Sequence, residues 1–90
     1  MDDERDAIES AVKEGQAIHT TVNTNGWQKV IRPALEMRKA ALISEFSMAV
    51  TYEDFVRIQQ SINAIDGLTN FIECKLIEGK SALEELKRNP

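Results

Sequence analysis

The sequence predicts an all-α protein: an antiparallel helical hairpin, residues 27–46 and 51–86, preceded by a weaker helix. Three observations predict it. From Phe55 through Ile58, Ile62, Ile65, Thr69, Ile72, Leu76, Gly79 and Leu83 to Leu86, successive positions step by three and four. That spacing keeps all of them on one seam of a helix. A strand of period two would instead place Gln59, Gln60, Ser61 and Asn63 on both faces. Second, residues 27–46 carry a broad apolar face, and a link of about four residues joins the two segments. So short a link between long helices forces them antiparallel. Third, only two prolines and four glycines interrupt the 90 residues.

Taken in order, residues 1–19 read as a weak acidic helix or arm. Ile8, Ala11, Val12 and Ile18 lie roughly on one face, with Gly15 weakening the middle. So thin a stripe does not hold an isolated helix, which therefore needs the body or a partner to pack on. Residues 20–26 read as a linker, since the stretch from His19 to Asn25 is rich in side chains that compete for backbone hydrogen bonds. Thr24 or Asn25 then caps the next helix.

In residues 27–46 the apolar face comprises Trp27, Ile31, Ala34, Leu35, Ala41, Leu42 and Phe46, with Val30 and Met37 at its edges. Pro33 is the anomaly. Inside a helix it lacks an amide hydrogen and crowds the carbonyl of residue 29. Either a continuous helix bends there, or Trp27–Arg32 forms a separate turn and Pro33 opens the main helix. Ser47–Val50 makes the link, and Thr51 caps the last helix, with Glu53 and Asp54 against its first-turn amides. Gly79 marks a bend, a fray point, or a place where another backbone comes close. Lys87 and Arg88 suit a helix C-terminus, and Pro90 closes the chain. Gln59 and Asn63 are candidates to bond across the helix pair and fix its register.

The size fits one domain over residues 1–90 whose core is a helix–helix seam. Residues 1–15 hold six acidic and two basic groups, which accounts for the whole net charge of −4. The remainder is neutral. A phosphate backbone needs a basic face, so nucleic-acid binding is disfavoured. The basic band of Lys29, Arg32, Arg38 and Lys39 is interrupted by Glu36 and Glu45. Cys74 is the only cysteine, which excludes an internal disulfide and a thiolate metal cluster. The N-terminal residues lack a signal-peptide pattern, and no run approaches the ~20 apolar residues that span a bilayer. The expectation is a protein that is neither secreted nor membrane-bound.

Catalytic, cofactor and metal sites are not expected. His19 is the sole histidine, with Glu14 five residues before it and no second imidazole. Glu73 beside Cys74 discourages a thiolate. The adjacent carboxylates Glu53/Asp54 and Glu84/Glu85 point apart on a helix. What remains is apolar surface. Ala64, Leu68 and Phe71 form a second stripe on the last helix that one hairpin seam cannot cover. It is expected to take part in self-association, unless the first helix folds back to complete a three-helix bundle. Trp27, at a helix start behind Gly26, either staples the linker to the hairpin or anchors a partner. Trp27, Ala64, Leu68 and Phe71 are therefore the expected interface residues.

Thr24-Asn25-Gly26-Trp27, Pro33-Ala34-Leu35, Phe55, Ile58-Gln59, Ile62-Asn63-Ala64-Ile65 and Leu68 together resemble small helical-hairpin proteins of tailed bacteriophages. Such proteins sit among virion-assembly genes and mostly lack an assigned activity. The resemblance spans residues 24–83 and implies no catalytic residue or cofactor. It leads to the expectation of a non-enzymatic assembly protein in the host cytoplasm or the virion. That protein would form homo-oligomers and dock on a larger phage component through apolar faces. The alternative is a small acidic regulator that captures a host or phage enzyme with residues 1–20.

Overall fold

The computed structural model describes residues 2–88. They form three helices, α1 (Asp2–Val22), α2 (Arg32–Met48) and α3 (Tyr52–Arg88), with a π-helical turn at Trp27–Ile31 leading into α2. No strand occurs among the described residues. The chain divides into two compact units. One is Asn25–Asn70, which contains the α2–α3 hairpin. The other joins the residues up to Thr24 with those from Phe71 onward. The expected closing role of Pro90 lies outside the described residues.

In the Asn25–Asn70 unit, α2 and the first part of α3 run antiparallel. Leu42 is 0% exposed and Ile58 2%, and they are the two large side chains fully buried here. Beside the connection, the rings of Phe46 and Phe55 meet edge to face, with centroids 5.2 Å apart and planes at 68°, a geometry that suits the ring quadrupoles. Farther along, Lys39 Nζ donates to Asp66 Oδ1 at 2.6 Å. This pair supplies the cross-helix polar contact expected of Gln59 and Asn63. Those two bond along α3 instead, Gln59 Nε2 to Asn63 Oδ1 at 3.1 Å and exposed. Being four residues apart on one helix, they reach each other more readily than a second helix.

The hairpin turns where Ala49 goes extended, at φ −67° and ψ 137°. Thr51 then caps α3 as expected: the Asp54 amide donates to Thr51 Oγ1 at 3.1 Å. At the other end of α2, Pro33 is accommodated by a wide turn. The Arg32 amide bonds back to the Trp27 carbonyl, five residues earlier. The extra residue in that turn gives the proline ring room beside carbonyls that would otherwise crowd it. Helical backbone runs from Asn25 through Met48, yet Trp27–Ile31 is a distinct π turn and Pro33 stands in the first turn of α2, so each of the two readings of Pro33 is met in part.

The break expected over residues 20–26 shrinks to Asn23 and Thr24, because α1 continues through Val22. The side chains thought to compete with the helix close it instead. Thr21 Oγ1 donates to the Ala17 carbonyl at 2.9 Å, Asn23 Nδ2 to that of His19 at 2.9 Å, and Thr24 Oγ1 to that of Thr21 at 2.8 Å.

In the other unit, α1 runs antiparallel to the last part of α3, and the two backbones touch at Gly15 and Gly79. A Cβ placed on either glycine would lie 2.8 Å from the Cα of the other. Only hydrogen side chains permit that approach. Ala82 is buried next to this crossing, and Ile8, Val12, Leu76 and Leu86 are half-buried. Of the readings open for Gly79, close approach of another backbone is the one observed.

Candidate interaction surface

Lys39, Leu42 and Phe46 make α2's contacts toward α3. The wider face expected there does not all turn inward: Ala34, Met37 and Ala41 are exposed. Together with Ser44 and Met48 they form a second stripe, again stepping by three and four. Met37 is 73% exposed and Met48 79%. The spacing was visible in the sequence. It could not be assigned to a separate face because Ala34 and Ala41 lie next to Leu35 and Leu42, and the spacing alone does not say which of two adjoining apolar lines meets α3.

On α3, Ala64 and Leu68 are exposed on one face of the helix, four residues apart, with Leu68 at 42%. Both helices of the hairpin carry their stripes on the same side. Ala34, Ala41 and Met48 each precede a seam position by one residue, and so do Ala64 and Leu68. Reversing a helix reverses the sense in which residues wind about the contact line, so these positions fall on one side of an antiparallel pair. The Lys39–Asp66 and Phe46–Phe55 contacts bring Met37 level with residues 64–68. The hairpin thus presents a broad apolar face built from both helices.

The other expected interface residues sit elsewhere. Trp27 is half-buried in the π turn. Phe71 belongs to the other unit, is 52% exposed, and has the Lys75 ammonium 5.7 Å from its ring centroid. Lys75 also donates to Glu14 Oε2 at 2.9 Å and lies 3.5 Å from Glu78 Oε2. The hydrogen bond to Glu14, followed by the nearby charges of Glu14 and Glu78, raises its pKa above the ordinary 10.5. A raised lysine contributes its share of stability at neutral pH and loses it as pH climbs through the folded value. Thermal melts should therefore show an alkaline loss, beginning above about pH 10.5, that is smaller in Lys75→Met. An identical alkaline profile in the variant would show that this ion pair does not hold α1.

Several other polar groups have partners within the chain. His19 Nε2 lies 3.1 Å from Asn23 Nδ2 at the end of α1. Of the basic band, Lys39 pairs with Asp66 and Arg32 with Glu36. Among the described residues no cluster of three or more potential metal ligands occurs, and no helix is long and apolar enough to cross a membrane. Comparison with protein-family models, curated proteins and solved structures finds no match.

Proposed function

We propose that this chain is a non-enzymatic assembly protein of a tailed bacteriophage. It self-associates and docks on a larger virion component through apolar helix faces. The observation that carries the reading is the outer hairpin face, where Met37, Met48 and Leu68 stand in solvent at 73%, 79% and 42% exposure. Large apolar side chains exposed on one side of two packed helices mark a contact in a small protein. The alternative reading, capture of an enzyme by residues 1–20, has less behind it. α1 commits one side to α3 through Gly15, and its Glu14 is already held by Lys75, which leaves a smaller acidic surface for a partner.

The test is sedimentation of lysate from phage-infected cells that make the tagged chain. The chain should travel with head, connector or tail particles, and Leu68→Glu should return it to the top of the gradient. A wild-type chain found only among free proteins would overturn the docking reading.

A further inference from the structure

Two opposite charges accompany the apolar stripe on the outer hairpin face. Arg38 and Glu45 are exposed, on the same side as the apolar stripe, three residues before and four after Ala41. Neither makes an ion pair within the chain among the described residues, whereas Arg32, Lys39, Arg57 and Lys75 all do. A uniformly basic partner would repel Arg38, and a uniformly acidic one would repel Glu45. A surface carrying the same two charges in reverse order satisfies both.

We propose that the occupant is a second copy of this chain, with its α2 packed antiparallel on the first about a two-fold axis passing beside Ala41. The proposal rests on the self-association reading above and gives it a face, an orientation and a register. In that arrangement Arg38 of each copy faces Glu45 of the other, so the pair forms twice. Antiparallel helices bring such flanking positions together, and a two-fold interface must complement itself. The apolar positions follow the same symmetry. Ala41 meets Ala41 on the axis, Ala34 meets Met48, and Met37 meets Ser44. A small residue faces each methionine and small residues face each other at the centre, which lets the helices approach closely. Leu68 and Ala64 flank the contact from α3.

Sedimentation equilibrium of the full chain and its charge-reversal variants tests this. The wild type should be dimeric at concentrations on the order of 100 µM. Arg38→Glu and Glu45→Arg should each raise the dissociation constant about tenfold, because each creates two like-charge contacts. The double reversal should return to within about threefold of wild type, since both pairs are remade in the opposite sense. Ala41→Glu, which puts two carboxylates on the axis, should leave monomer with unchanged helical circular dichroism. A wild type that is monomeric throughout overturns the self-association reading and this inference with it. A dimer indifferent to Ala41→Glu and to both single reversals overturns this interface alone. Single reversals that weaken the dimer without recovery in the double variant overturn the proposed register.

Discussion

Leu42→Ala should abolish cooperative unfolding of the α2–α3 hairpin. Leu42 is wholly shielded, and Ile58 is the only other large side chain in the Asn25–Asn70 unit buried as deeply. Truncating a buried leucine costs roughly 2–5 kcal/mol, as lost transfer energy plus the cavity left behind. A unit of this size has on the order of 2–7 kcal/mol in all, at ~0.05–0.15 kcal/mol per residue. The loss is thus comparable with the whole. Urea titration followed by Trp27 fluorescence should show a broad, early transition in the variant. Leu42→Met, which nearly keeps the volume, should cost less than about 1.5 kcal/mol. An alanine variant that melts like the wild type would mean that the seam does not hold the hairpin.

Gly79→Leu should detach α1 from α3. Even a single Cβ at residue 79 would meet the Gly15 Cα at 2.8 Å and the Ala11 carbonyl oxygen at 3.2 Å. These are backbone atoms that cannot rotate away, and a leucine adds three further carbons. Overpacking of this kind costs about 1–3 kcal/mol even where side chains can adjust, more than the ~1 kcal/mol that leaving glycine gains in a helix. Once undocked, the 21 residues of α1 lose the packing that most helical stability comes from, and their interior glycine and thin apolar stripe leave little to replace it. Circular dichroism should therefore lose about that many residues of helix. Gly67 supplies the contrast, because a Cβ there meets nothing within 4 Å. Gly67→Ala should stabilise by about 1 kcal/mol. If Gly79→Leu kept α1 helical, the backbone contact would not be what anchors it.

Much of the hairpin was legible because its signals are local. The three-four spacing of Phe55, Ile58, Ile62 and Ile65, the Thr51 cap and the short link each act over a few residues, and each appears where expected. The exposure of Leu68 and Phe71 followed from counting more apolar faces on α3 than one seam covers. The failures share a different cause. Pro33 showed that α2 was disturbed, but whether a continuous helix would bend or a separate turn would precede it depended on where the freed carbonyls found donors. Ala34 and Ala41 stay exposed because α2 turns Leu42 and Lys39, not the whole broad face, toward α3. Threonines and asparagines at residues 20–25 carry the same hydrogen-bonding groups whether they end a helix early or finish it late, so composition could not place the break. Gly15 and Gly79 each looked like a weak point because their meaning lies in being opposite one another.

The Gly15–Gly79 crossing also orders the events of folding. Phe46 and Phe55 are nine residues apart, whereas Gly15 and Gly79 are 64 apart. Closing the longer loop carries the larger entropic cost. The hairpin, once formed, shortens the distance that α1 must search. On the ribosome the asymmetry is greater still. During synthesis α1 emerges before the part of α3 on which it packs, and until then it waits as an uncommitted, weakly helical stretch whose dense carboxylates help keep it from aggregating.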